Sequence, residues 1–239
     1  MNILKMAAFL AAAVCIVNTT GCGNDEDKNV SKTTTEIGEL ITPAEDSEDY
    51  SLGSYYEDES GIKLYFGDET VSPGIVQALK NYFIAFQNED FDAYKANLAS
   101  DYAERYDAYL QENYGYDLRH SFELQCENLR ESMKAEIYGG YDAENTENYT
   151  GDYTITRLRV ENPTLNEGET VETLIRDFFS YLDASFDMDY YSFVSEQADS
   201  LEYATFFILA KGEDDLEHRI VSEMGIVFAV KDGKYYAFG

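Results

Sequence analysis

Residues 201–238 read LEYATFFILAKGEDDLEHRIVSEMGIVFAVKDGKYYAF. Three runs in it, 201–211, 218–230 and 234–238, are rich in β-branched and aromatic residues, and polar clusters separate them. Such residues suit a pleated, half-buried surface, so the stretch predicts a meander of three strands. Asp232-Gly233, between the last two, is a dipeptide suited to a tight type I′ turn. An antiparallel sheet therefore closes the chain.

Ahead of that sheet the apolar period lengthens to that of a helix. Ser72-Pro73 offers a hydroxyl cap and a proline at the first helical position. Behind it Ile75, Val76, Leu79, Tyr82, Phe83 and Phe86 recur at helical spacing as far as Asn88. Asp90 caps a second, short helix carrying Phe91, Tyr94 and Leu98, and Asp101 opens a third with Tyr102, Tyr106, Tyr109 and Leu110. A longer helix from Asp117 shows Leu118, Phe122, Cys126, Leu129, Met133 and Ile137 on one face and ends at Gly139-Gly140. A polar loop over 141–152 leads to a strand at 153–160, which Asn162-Pro163 breaks. Glu169 or Thr170 starts a further helix with Val171, Leu174, Ile175, Phe178, Phe179 and Leu182, running on towards Val194. Residues 62–66 form a short strand or a packed lead-in. Segregated helices and strands predict an α+β fold, with N-terminal helices packed on a curved, mainly antiparallel C-terminal sheet.

The two ends of the chain differ in kind. Lys5 precedes an unbroken apolar run, residues 6–17, followed by Thr19-Thr20-Gly21-Cys22 and then Gly23-Asn24-Asp25-Glu26-Asp27. A positive start and a short apolar run form an export signal, too short to cross a hydrocarbon core about 30 Å thick. The cut site resembles the bacterial lipobox, with Thr19 standing where an aliphatic residue is usual. That resemblance implies cleavage between Gly21 and Cys22 and a diacylglycerol on the Cys22 thiol. Two or three acyl chains hold a protein stably on a bilayer. The expected location is the outer face of the bacterial cell membrane, or the outer membrane of a Gram-negative source. Residues 1–21 are then a signal peptide and residues 22–60 a lipidated cysteine with a disordered acidic linker. Residues 23–60 carry 12 acidic and 2 basic residues with few large aliphatics, a composition unable to offset the entropy of ordering. As a flexible coil the linker would reach about 35 Å. Residues 61–239 are left as a single α+β domain.

Residues 76–94, VQALKNYFIAFQNEDFDAY, and the ending VFAVKDGKYY, residues 227–236, are similar to the nuclear transport factor 2-like (cystatin-like, SnoaL-like) superfamily. The first looks like that superfamily's opening helix and the turn into its second helix. The other looks like its closing hairpin, with Tyr235-Tyr236 where Trp-Tyr often stands. The resemblance implies a cone with a pocket between helices and sheet. It implies no single activity, since members include enzymes, carriers and interaction modules.

Charge and motif content narrow the chemistry. Seventeen basic against 47 acidic residues give a net charge of −30, which repels nucleic acid and lacks a phosphate-binding footprint. No zinc spacing, G-x-S-x-G elbow or P-loop occurs, so no catalytic, cofactor or metal residue is assigned. His120 and His218 read as surface histidines, and Cys126 as a small buried hydrophobe on a helix stripe. Asp183, Ser185, Asp187 and Asp189 alternate as calcium ligands would, but Met188 and Val194 break the EF-hand template. Asp214-Asp215, Asp142 and Glu144 read as polar turns. Tyr102, Tyr106 and Tyr109 suggest half-buried packing, with sugar stacking as the functional alternative. The expectation is a membrane-anchored surface lipoprotein, a ligand- or protein-binding accessory module. The alternatives are a small hydrolase, isomerase or dehydratase with an Asp-Tyr or Asp-His pocket, and an envelope spacer.

Overall fold

Helices on one side and a single sheet on the other account for the described residues, 31–34, 38–66, 71–139 and 149–238 of a computed structural model. In chain order these are β1 (Ser31–Thr34), β2 (Glu39–Thr42), a 3₁₀ turn (Glu48–Leu52), β3 (Tyr55–Glu57), β4 (Lys63–Phe66), α1 (Pro73–Gln87), α2 (Phe91–Ala96), α3 (Ser100–Tyr114) and α4 (Leu118–Tyr138). They continue with β5 (Thr154–Glu161), α5 (Val171–Phe186), α6 (Tyr190–Ser195), β6 (Ser200–Lys211), β7 (Glu217–Lys231) and β8 (Lys234–Ala237). The fold is α+β.

The sheet runs β1 to β8 in sequence order, and every neighbouring pair is antiparallel except β4 and β5. That one parallel step needs a crossover, and α1 to α4 supply it. Register shifts near Ile155 on β5 and around Ile208 on β6 bend the sheet. On β6 the even positions Ala204, Phe206, Ile208 and Ala210 are buried under the helices, while Tyr203, Thr205, Phe207 and Leu209 are half-buried on the other face. This is the two-residue period expected of a strand with one face in the core.

The helix starts follow local chemistry. Ser72 Oγ accepts from Gly74 N–H at 3.2 Å, Asp90 from Ala93 N–H at 3.0 Å and Asp117 from His120 N–H at 2.9 Å. Thr170 and Thr173 form a reciprocal capping box at the start of α5. The core is largely aromatic: Phe86 packs against Tyr82, Tyr94 and Phe122, Phe83 against Phe206, and Phe179 against Phe238, each pair with ring centroids 5.1 Å apart. Aromatic rings therefore fill the centre of the space between helices and sheet. The expected helix towards Val194 breaks at Asp187, which adopts a left-handed conformation (φ 49°) and divides α5 from α6.

One expectation is corrected. The linker expected over 22–60 is not unstructured over 39–57, where β2, the 3₁₀ turn and β3 lie on the sheet beside β4. Ile41, Tyr55 and Tyr65 form a small second core there. Asp49 accepts from Lys63 Nζ at 2.5 Å, Arg157 Nη1 at 2.9 Å and the Tyr65 hydroxyl at 3.1 Å. Asp58 accepts from Lys80 Nζ at 2.7 Å, from the backbone and hydroxyl of Ser60, and from Ile62 N–H. Acidic residues that composition assigns to solvent thus hold a strap to the sheet, each through specific cations and donors.

Burial alone would raise both carboxyls. Lys63, Arg157 and Tyr65 around Asp49, and Lys80, Ser60 and Ile62 around Asp58, instead hold both below the ordinary aspartate range. A depressed folded value contributes stability above the unfolded value, near ~4, and that contribution is lost as pH falls through the folded value. Asp49→Asn should cost about 1–3 kcal/mol at neutral pH and should flatten the decline in stability below about pH 4. Urea midpoints measured for both proteins down to pH 2 check this; parallel curves would remove the clamp.

Candidate functional site

One opening that combines apolar lining with both lysines and carboxylates lies where α2 meets α3, against α6 and the ends of β7 and β8. Its volume is 420 Å³, and its walls include Leu98, Ala99, Ala103, Phe193, Val194 and Ala229. Small side chains from α2, α3 and β7 leave this space. The backbone turn between α2 and α3 is pinned to β8, with Ala237 N–H donating to Asn97 O at 2.8 Å and Ala99 N–H donating to Ala237 O at 3.1 Å.

Charge at the cleft is balanced, two lysines against two carboxylates, in a chain that is strongly acidic as a whole. Lys95 and Lys231 line it, and neither has an ion-pair partner among the described residues. Ala99, the cap of α3, offers no side-chain acceptor, whereas α1, α2, α4, α5 and α6 are all capped by side chains. Ala99, Ser100 and Asp101 face the cleft, so the partial positive end of α3 lies at its wall. Two carboxylates also line it. Glu104 is exposed, and Asp101 Oδ2 already accepts the Tyr190 hydroxyl at 2.8 Å.

Tyr190 is fully buried. Burial, then the hydrogen bond to Asp101 and its charge, push the phenol far above its ordinary value, against an opposing pull from Arg105. Its proton stays in place at neutral pH. The Arg105 guanidinium lies 5.2 Å from the Phe193 ring and 6.0 Å from that of Tyr190, and its Nε is buried with no hydrogen-bond partner. Asp101, Tyr190 and Arg105 therefore form a rigid polar cluster beside the cleft.

No family model, no curated protein and no solved structure matches this chain.

The residues singled out in the sequence fall elsewhere. Gly21 and Cys22 lie outside the described residues, as do Asp142 and Glu144. Cys126 is buried on α4, and burial pushes its thiol up to about 11, so it is protonated and unreactive at neutral pH. His120 is exposed near Glu123, at 3.6 Å. His218 Nε2 is 2.9 Å from Asp214 Oδ2 in the β6–β7 turn; Asp214 also accepts Leu216 N–H at 3.0 Å, and Asp215 pairs with Lys211 at 2.8 Å. This Asp-His pair is a turn clamp outside the cleft. The segment 183–189 forms the α5–α6 elbow, where Asp183 accepts from the N–H groups of Tyr190 and Tyr191 and Asp189 caps α6. Among the described residues no group of His, Cys, Asp or Glu is arranged to hold a metal. No described helix is long and apolar enough to cross a membrane.

Sequence reasoning missed Lys95, Lys231, Arg105 and Tyr190 as a group. It placed the start of α3 at Asp101; the helix starts one residue earlier, behind Ala99. The available signal was Leu98-Ala99-Ser100, a helix start with alanine where a capping side chain usually stands.

Proposed function

We propose that this chain is an exported lipoprotein, acylated at Cys22, whose folded domain is a binding module. The cleft at the start of α3 takes a small ligand bearing a carboxylate or phosphate. The observation that carries this reading is a cleft in which two lysines without ion-pair partners among the described residues offset its two carboxylates, in a chain of net charge −30. Lys95, Lys231 and the α3 terminus stand beside the exposed Glu104 and beside Asp101, which the Tyr190 hydroxyl already holds in place. The anchor rests on the residues around Cys22. The opening-helix segment 76–94 lies in α1 and α2, and the closing hairpin is β7–β8, which supports the resemblance to the nuclear transport factor 2-like superfamily.

Binding is favoured over turnover by the state of the Asp-Tyr pair. A hydrolase or isomerase built on it needs a phenol that exchanges protons with substrate, and Tyr190 is sealed from the cleft with its proton held by Asp101. An envelope spacer has no need of an open, charged cleft.

Saturation-transfer NMR with a panel of small carboxylates, amino acids and inorganic phosphate tests the reading. Ala96 is exposed and lines the cleft, so Ala96→Trp obstructs the mouth without entering the core. That variant should lose the saturable signal. Lys95→Glu/Lys231→Glu should weaken it by on the order of tenfold or more. Equal signals in all three proteins would place the anion elsewhere.

A further inference from the structure

A second surface lies on α3 and α5, away from the cleft. Tyr102, Tyr106 and Tyr109 stack along α3 with centroid separations of 5.3 and 6.1 Å. The row continues through Tyr114 and Tyr116, each step 5.9 Å, to His120 at 5.1 Å. It leads from a buried ring to exposed ones: Tyr102 is 2% exposed, Tyr114 58% and Tyr181, from α5, 57%. The hydroxyls of Tyr114, Ser185 and Tyr181 pull the Tyr109 phenol below its ordinary value, while Tyr109 pushes Tyr114 up, and burial and then Tyr109 push Tyr181 up. Three rings from two helices, Tyr109 and Tyr114 of α3 and Tyr181 of α5, are thus gathered on one face, at lower entropic cost to a ligand than isolated side chains.

Elsewhere four half-buried rings carry the chain's own arginines. Arg105 lies over Phe193 at 5.2 Å, Arg119 over Phe91 at 4.2 Å, Arg176 over Tyr191 at 4.3 Å and Arg219 over Phe207 at 5.2 Å. No described cation lies over Tyr114 or Tyr181. Glu112, one turn beyond Tyr109, and Asp177, one turn before Tyr181, are exposed and have no ion pair among the described residues. Uncovered π faces flanked by free carboxylates attract cations by two mechanisms at once.

We propose that the Tyr109–Tyr114–Tyr181 face docks a basic segment of a partner protein, its arginine or lysine side chains lying on the rings and pairing with Glu112 and Asp177. A nucleic acid or an anionic bilayer is repelled by the same carboxylates. A neutral glycan would use the ring faces but leave Glu112 and Asp177 without counterions.

The test uses a fluorescent, end-capped peptide of alternating arginine and glycine, with anisotropy measured at about 0.15 M salt, where charges beyond roughly 8 Å are screened. Tyr114→Ala/Tyr181→Ala leaves net charge unchanged and alters only exposed rings, so thermal melts should match wild type. Binding should weaken on the order of tenfold, while Tyr50→Ala, an equally exposed tyrosine elsewhere (51%), should bind as wild type. Tyr114→Phe/Tyr181→Phe should retain binding, because the ring faces remain. Three outcomes overturn the proposal: no peptide binding to wild type, an alanine variant within twofold of wild type, or a phenylalanine variant as weak as the alanine one. Saturable binding of a neutral oligoglucan at these rings without peptide binding would also overturn it, in favour of sugar.

Discussion

Phe86→Ala is expected to cost about 3–5 kcal/mol of folding stability, the largest effect of any single side chain considered. Phe86 is 2% exposed near the end of α1. Its ring is stacked on Phe122 of α4 at 5.1 Å and 22°, tilted against Tyr94 of α2 at 5.1 Å, and edge-on to Tyr82 at 5.1 Å. Phe83, which itself reaches Phe206 of the sheet, lies 5.9 Å away. Removing the ring opens a cavity where three helices meet, and interiors this closely packed relax only in part. The tyrosines around it cannot fill the space freely, because Tyr82 and Tyr94 are themselves buried and packed on each other at 5.5 Å. Urea unfolding should show a lower midpoint with little change in slope, and Phe86→Leu should recover part of the loss. A loss below about 1 kcal/mol would mean that the three helices do not depend on this ring. The same substitution should loosen the cleft, since Tyr94 on α2 is the next ring and Lys95 follows it in the chain.

Under the proposed anchoring, Cys22→Ala is expected to abolish incorporation of an alkynyl fatty acid and to release the protein from the membrane fraction. The thiol is the sole acceptor the lipobox resemblance provides, and no second lipid attachment is expected: Cys15 lies inside the apolar leader and Cys126 is buried. Stable retention requires two or more acyl chains, so loss of the modified residue is close to all-or-none. Metabolic labelling of wild type and Cys22→Ala, with separation of cells from medium, measures both quantities. Equal labelling would sink the anchor. It would leave the cleft and the tyrosine face intact as proposals, because both are tested on the folded domain alone.

Most of the fold can be read from local patterning. The Ser72-Pro73 start, the Asp90 and Asp117 caps, and the Asp232-Gly233 turn all lie where the residues themselves place them. These features succeed because a cap or a tight turn is a contact between near neighbours. The strap over 39–57 fails the same treatment. Its stability comes from Asp49 meeting Arg157, 108 positions away, and from Ile41 and Tyr55 meeting Tyr65; a window of composition sees only the charge. The break at Asp187 is intermediate. An aspartate can adopt φ above zero at modest cost, but whether it does depends on Asp183 and α6 closing the elbow.

The sequence by itself determined the α+β class, the order of helices and strands from α1 to β8 apart from the α5–α6 break, the closing hairpin and the acidic character. Each of these is written in residue types at short range. Only the tertiary structure decided that the interior is filled with aromatic rings, that Lys95 and Lys231 share a cleft with the uncapped start of α3, and that Tyr109, Tyr114 and Tyr181 meet across two helices. Those arrangements depend on contacts between positions tens of residues or more apart, whose pairing is set by which faces pack once the apolar surface is buried. Among 21 tyrosines and 47 acidic residues, chance pairings are plentiful, and packing alone selects the few that meet.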